Sequence, residues 1–483
     1  MKNGAAEPST PMETASREDD REPLRMHAAR RVGEGTPCTL GLLGLSLLAN
    51  TFLAAALLLR TNVIGESGGG VGGVEEALVP PAVCAQTTLD ESHKACGGNG
   101  ILFDDAELCS CFDCWVGPTC SSRLDGAACV VDAGSGTPYI FEDYWVAHPE
   151  AAVTIRPSYH IGYGATMPRL EKVIRELHAL VGNAQLDGRY VVIGIGSTEL
   201  VSGAMYAMGT LLATKASSSP AQLWAQRPYY SGYCFGEFWK TDLFGWAGDC
   251  GGPALNGSAA DVKPGPGQRV IELVTSPNNP DGHVRQAQLT HSGADVRVVA
   301  DHAYLWPHFT PITAPVAYGN DTVALFTLSK MTGHASTRIG WAVTPDKRVA
   351  DALGQFVEKA TLGIPRENQL RAIAVLEHVV SHRGAIFGYA RQLMLSRWVR
   401  LEGIFAEGSH FRLEGRDPAA FDSFSQQMDY AHSPAYAWIE RLDGGDATSA
   451  MLSVGIKGRS GLGYGTSRCH SAPTPATPPL PRP

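Results

Sequence analysis

A recurrence limits the possible folds of this chain more than any other pattern in it. Four short apolar runs, 190–193 (YVVI), 270–274 (VIELV), 296–300 (VRVVA) and 323–326 (VALF), each end in small or polar residues. Runs this short, rich in β-branched residues and closed by turn formers, read as buried strands. Helical spacing precedes and separates them. Over 167–181 the apolar set Leu170, Val173, Ile174, Leu177 and Val181 faces one way. Arg169, Glu171, Lys172, Arg175 and Glu176 face the other. A second helical run covers 199–212. Strands alternating with helices predict an α/β chain with a mostly parallel, doubly wound sheet. Ligands of such sheets gather where strands end at their carboxyl side.

The residues presented at the strand ends are therefore informative. After 190–193 comes Gly194-Ile195-Gly196-Ser197-Thr198, then a helix. That order offers backbone N–H groups and a positive dipole end to a phosphate. A third glycine is missing, so this is no dinucleotide fingerprint, and a plain tight turn is the alternative. The second run ends in TSPNNPDG, with Asn279 in the turn. The third delivers Asp301 and then Tyr304, the fourth Thr327, Ser329 and Lys330, with Arg338 eight residues on. An amine flanked by hydroxyls, with a guanidinium close behind, suits a phosphorylated aldehyde cofactor. The lysine would form a Schiff base while the hydroxyls and arginine hold the phosphate. Singly, each is an ordinary surface lysine, helix cap or turn; the series in order gives them meaning. The aromatic stretch Tyr229, Tyr230, Tyr233, Phe235, Phe238 and Trp239 reads mostly as core. Tyr229 or Tyr230 could stack on a flat ring, and spacing leaves both open.

At 483 residues the chain is long enough for two or three domains. Its 44% hydrophobic and 18% charged content fits a globular protein with a large core. A net charge of −9 argues against nucleic acid as the main partner. Residues 1–38 are polar, of mixed charge, and read as a disordered cytosolic tail. Residues 39–59 then carry no charge, enough to cross a bilayer as a helix. Arg25, Arg30 and Arg31 lie before this run, and after Arg60 the next cation is Lys94. The charge bias predicts a signal anchor over 39–60, with everything downstream in the lumen of the secretory pathway (endoplasmic reticulum, vacuole or cell exterior). A buried core helix and a cleaved signal peptide are the alternatives. A glycine-rich linker, 61–83, comes next.

Seven of the eleven cysteines fall between Cys84 and Cys129. Zinc is one reading, since two residues separate Cys111 from Cys114; disulfides in an oxidising compartment are the better one. Six cysteines from Cys96 to Cys129 allow fifteen pairings, and Cys84 is left without an obvious mate. With the turn near Trp115, Gly117 and Pro118, residues 84–130 look like an epidermal-growth-factor-like module. Two sequons, at Asn256 and Asn320, permit glycosylation.

The motifs VTSPNNPDG, DHAYLWPHFTPIT and FTLSKMTGHASTRIGWA resemble the plant alliinase and tryptophan-aminotransferase-related family. The resemblance runs from about Cys96 to Arg468, and the cysteine module is similar to the one preceding the catalytic domain in that family. It implies a pyridoxal-5′-phosphate-dependent transferase of fold type I, aspartate-aminotransferase-like, over 131–468, with a small C-terminal domain. By this resemblance Lys330 binds the cofactor and moves the substrate's Cα proton. Asp301 pairs with the pyridine nitrogen, which would hold it ionised despite burial. Tyr304 and Asn279 hydrogen-bond the phenolic oxygen. Gly196, Ser197, Thr198, Thr327, Ser329 and Arg338 are the phosphate contacts, and Tyr163 reaches the phosphate of a neighbouring subunit in a homodimer. The implied substrate is a small-molecule L-amino acid. Transamination with a 2-oxo acid acceptor is favoured over carbon–sulfur lysis of an S-alkyl-cysteine sulfoxide, and a catalytically weak anchored protein is the third reading.

Helices are expected over 367–379 and 385–405, and a strand over 434–438. The end of the chain departs from the family pattern. Members carry a second, carboxylate-gripping arginine three residues after the position of Arg468, and this chain has Ser471 there, with a Pro-rich tail after it. Losing a bidentate clamp would cost several kcal/mol of substrate orientation. A wrongly ended chain is the favoured reading, against a substituting arginine or a poor catalyst.

Overall fold

The computed structural model describes residues 96–103, 108–134, 136, 138–156, 165–210, 220–234, 244–246, 262, 268–289, 295–406, 408, 410–467 and 470–472. The expected anchor at 39–60, Cys84, Tyr163, Asn256 and Arg468 lie outside them. Among the described residues no helix is long and apolar enough to cross a membrane.

The cysteine module is two small antiparallel pairs. β1 (Gly100–Phe103) pairs with β2 (Leu108–Cys111), and β3 (Trp115–Val116) with β4 (Ser122–Arg123). Three disulfides join Cys96 to Cys109, Cys111 to Cys120 and Cys114 to Cys129. All six thiols are thus consumed, and the zinc alternative falls. Elements this short bury too little to stand alone, so the cross-links carry the module. It rests on the next segment through Asp113, whose carboxylate accepts from Asp132 N at 2.9 Å.

The large domain is built on a seven-stranded sheet. Its strands are β5 (Tyr190–Gly194), β6 (Ala221–Trp224), β7 (Phe244–Trp246), β8 (Arg269–Thr275), β9 (Asp295–Asp301), β10 (Thr322–Thr327) and β11 (Gly340–Thr344). Their spatial order is β5-β11-β10-β9-β8-β6-β7. The pairs from β10 to β7 are all parallel, whereas β11 runs antiparallel to both neighbours. The expected mostly parallel sheet is present, with one reversed strand. Every residue of β8 is buried. Its Glu272 is tolerated there because the carboxylate accepts from Gln288 N and Leu289 N at 2.8 and 2.9 Å.

Helices cover the sheet. Helix Pro168–Val181 starts with its proline in the first turn and ends at Gly182 in the left-handed region, φ 72°. The five apolar residues read from its sequence are all buried. Helix Gly196–Thr210 begins three residues earlier than expected, so that the second glycine of the turn opens it, and it packs on helix Lys347–Thr361. Helices Arg366–Ser381 and Ala385–Ala406 match the expected ranges to within two residues.

The small C-terminal part contains a four-stranded antiparallel sheet, β12 (Phe411–Leu413), β15 (Ile439–Arg441), β17 (His470–Ala472) and β16 (Arg459–Ser460) in that order. A separate hairpin joins β13 (Ala419–Asp422) to β14 (Gln427–Tyr430). Trp398, Ala437 and Ile439 form its own small core. The strand expected over 434–438 is displaced: Pro434 lies in a turn and pairing starts at Ile439. A proline has no N–H for a ladder, and the freed segment lets Tyr436 pack edge-on against Tyr304.

Candidate active site

The site lies at the carboxyl ends of β5, β8, β9 and β10. β10 ends at Thr327, whose side chain caps the one-turn helix Leu328–Met331 by accepting from Ser329 N at 3.2 Å. The cap fixes where Lys330 leaves the strand. Lys330 is half-buried, and its ammonium donates to Gly136 O at 3.2 Å. Burial, with the positive charges of Arg459 and Arg338, brings its amine down to about 8, against the opposing pull of Asp301. About a tenth of the amine is therefore neutral at pH 7, far more than for a free lysine.

Asp301 ends β9, the strand next to β10, and is 5% exposed. Its Oδ2 accepts from the phenol of Tyr233 at 3.0 Å and its Oδ1 from Ala303 N at 3.2 Å. Tyr233 also meets Thr275 Oγ1 at 2.7 Å, so β8 and β9 share one buried polar chain. Burial pushes the Asp301 carboxyl up, and those two donors and Lys330 only partly offset it. A carboxyl held this way is set to become fully ionised when a cation arrives opposite it.

Gly196, φ +75°, and Arg338 are pressed together: a Cβ on the glycine would lie 2.5 Å from Arg338 Nη2. Gly340 is equally crowded, since its Cβ would lie 2.8 Å from Ser197 N. Two glycines thus bring the helix N-terminus, the guanidinium and β11 into one cradle. Arg338 holds a left-handed conformation, φ 51°, and donates to Ala335 O at 3.1 Å. Ser329 Oγ lies 3.5 Å from its Nη1 and accepts from Thr327 Oγ1 at 3.1 Å, leaving the serine's own proton to give. Thr327 is already engaged in the cap, so it positions its neighbours. Ser197 is half-buried and Thr198 exposed at the helix start.

Tyr304 is buried, and Asn279 Nδ2 donates to its phenol at 3.3 Å. Burial raises its pKa, while hydrogen bonds from Tyr436 and Asn279 oppose the rise. Of the two tyrosines left open by spacing, Tyr230 faces the site. Burial and Asp301 raise its pKa, while Arg459 and Arg338 lower it, so it stands among the site's charges. Tyr229 points instead toward Gly465 and Trp246. The structure brings Lys330, Asp301, Tyr304, Asn279, Gly196, Ser329 and Arg338 to these strand ends, with Thr327 in the cap and Ser197 and Thr198 at the helix start. Two residues were missed. Tyr233 read as core, and Arg459, in the two-residue β16, carries no periodic signal. Arg459 Nε donates to Gly134 O, two residues from the carbonyl that takes the Lys330 ammonium. Ser471 sits in β17, in register with Ser460, the residue after Arg459.

The residues present fit an aldehyde cofactor bearing a phosphate and a basic ring nitrogen: an amine of lowered pKa, a buried carboxyl awaiting a cation, and a glycine cradle beside a guanidinium. A family model described as Allinase matches residues 131–471. Tryptophan aminotransferase-related protein 4 of Arabidopsis thaliana is 35% identical over 379 residues, covering 76% of this chain and 78% of that protein. Alliin lyase 2 of Allium sativum is 32% identical over 388 residues, with the same coverages of 76% and 78%. Among solved structures, a multiple substrate aminotransferase from Thermococcus profundus aligns with a TM-score of 0.52 at 14% identity, covering 72% of this chain and 87% of that one. At that identity the likeness is one of fold.

Proposed function

Because the chain belongs to the alliinase family, we propose that it is a pyridoxal-phosphate-dependent enzyme transferring the amino group of an L-amino acid, aromatic and tryptophan-like, to a 2-oxo acid. The observation that carries this is that buried Asp301 ends β9 while Lys330 follows directly on the end of the adjacent parallel strand β10, its amine lowered to about 8. When bound, the cofactor supplies an electron sink that weakens the bonds at the substrate's Cα. This chain's residues do the rest. Lys330, with its amine near 8, can accept the Cα proton and return it, the pKa match that general base work requires. Asp301 holds a positive charge at the ring nitrogen. The N–H groups at the start of helix Gly196–Thr210, with Ser329 and Arg338, hold the phosphate. Tyr304 and Asn279 hold the phenolic oxygen, and Tyr230 covers the ring. Arg459 takes the substrate's α-carboxylate in place of the arginine that Ser471 replaces. A homodimer is proposed from the fold.

Carbon–sulfur lysis is the second reading, supported by the alliin lyase relatives, which match at 31–32% identity. The proton transfer at Cα serves both reactions. Assays with L-tryptophan plus pyruvate, and with an S-alkyl-L-cysteine sulfoxide, separate them. Alanine formed in step with a keto acid supports transfer; pyruvate and ammonia released from the sulfoxide support lysis. Neither product, with cofactor bound, would sink both. The three disulfides support an oxidising compartment, and we propose a lumenal catalytic part behind an anchor at 39–60.

A further inference from the structure

Away from the active site, the segment between the cysteine module and the first long helix meets the end of helix Arg366–Ser381. His148 and Glu150 come from the segment, His378 from the helix's last turn and His382 from its C-cap. One ligand atom from each of the four lies within 4.8 Å of all the others. Glu150 Oε1 is 3.0 Å from His148 Nδ1, 3.3 Å from His378 Nδ1 and 3.9 Å from His382 Nε2. Ligands about 2.0–2.1 Å from a tetrahedral zinc lie roughly 3.3 Å apart, so the cluster is close to the required spacing.

The orientation of the rings is the stronger observation. His378 Nε2 meets the phenol of Tyr144 at 3.2 Å, which turns Nδ1 inward. That inward nitrogen is buried and makes no hydrogen bond. His382 Nδ1 meets His378 O at 3.0 Å, which turns Nε2 inward. Anchoring one ring nitrogen outward while the other faces a shared point is how histidines are held for metal. The two rings also stack at 3.9 Å, a poor arrangement for two imidazolium cations.

We propose that His148, Glu150, His378 and His382 bind one divalent zinc ion that staples residues 148–150 to the end of helix Arg366–Ser381. Three imidazoles and a carboxylate suit zinc, and four protein ligands leave no open position, as in a structural site. His382 and Glu150 remain partly exposed, which gives the ion an entry path. The staple bears on the active site through Trp145, whose indole N–H donates to Thr332 O at 2.8 Å, two residues beyond Lys330.

The test uses the full chain without a histidine tag, stripped with chelator, reloaded with zinc chloride, freed of excess and measured by elemental mass spectrometry. One zinc per chain is expected. His382→Ala, at a half-exposed position, should keep the fold and lose the zinc. Tyr144→Phe should weaken binding about tenfold, and His432→Ala, in the separate cluster with His283 and Asp417, should leave it unchanged. Chelator should lower the melting temperature of the parent chain and not that of His382→Ala. Zinc-free protein after reloading, or zinc kept in His382→Ala, would overturn the assignment.

Discussion

Arg338 lies against Gly196 so closely that a Cβ on the glycine would come within 2.5 Å of the guanidinium. Gly196→Ala therefore acts twice. It strains a backbone at φ +75° by about 1 kcal/mol, and it moves the arginine off the phosphate position. Hydrogen bonds to charged groups contribute on the order of 1.5–3 kcal/mol, so pyridoxal phosphate should bind the variant about tenfold or more weakly. Absorbance titration of the cofactor-free protein measures this, and unchanged affinity would remove the cradle from the phosphate site.

Capture of the cofactor by the cofactor-free protein should track the neutral fraction of Lys330, rising with pH to a midpoint near 8. Arg459 helps to hold that midpoint down, so Arg459→Gln should move it upward. Lys330→Ala should abolish covalent capture altogether. Borohydride trapping across pH 6 to 10 reads all three, and a midpoint that ignores Arg459 would contradict the shared field.

Tyr233 and Asp301 should behave as one unit. Asp301→Asn removes the charge facing the ring and should lower kcat/KM by about 10²–10³. Tyr233→Phe takes away one of two hydrogen bonds to the carboxylate and should cost about tenfold. Since the phenol acts through the carboxylate, the double variant should be little worse than Asp301→Asn alone. Additive losses would show that Tyr233 has a separate role.

His283 comes directly after the NNPDG turn and reaches into the C-terminal part, where Glu414 and, at 2.6 Å, Asp417 receive it. Glu414, together with Asp281 and Asp417, raises its pKa to about 9 despite partial burial. A histidine whose folded pKa lies above the unfolded one stabilises fully below about pH 6.5 and loses that contribution as pH rises through about 9. The loss should be at most about 3 kcal/mol. Urea unfolding at intervals from pH 6 to 10 should show the decline, and His283→Gln should flatten it.

The sheet was legible because its inner strands are apolar runs too short for helices. Tyr190–Gly194, Arg269–Thr275, Asp295–Asp301 and Thr322–Thr327 each extend the expected range by one or two residues. The chemistry-bearing residues were legible for the same reason, since parallel strands carry the residues at their carboxyl ends to one edge of the sheet. Tyr233 was not, because nothing in its spacing tells which hydroxyl meets a carboxylate 68 residues later. Arg459 sits in a strand of two residues, too short for any period, and reaches Lys330's surroundings only through tertiary folding. The metal cluster escaped notice because His148 and His378 are brought together by packing alone.

One topological detail ties these parts together. A strand running against its neighbours begins where theirs finish, so the residues entering β11 land beside those leaving β5 and β10. Thr327 faces Gly340, and Gly340 faces Gly194. A single hairpin thereby supplies both Lys330 and Arg338, the covalent anchor and the charge anchor of the proposed cofactor site. Had β11 been parallel, the connection would have needed a long crossover and would have carried Arg338 to the far edge of the sheet. Opening this one hairpin would accordingly release both ends of the bound cofactor together.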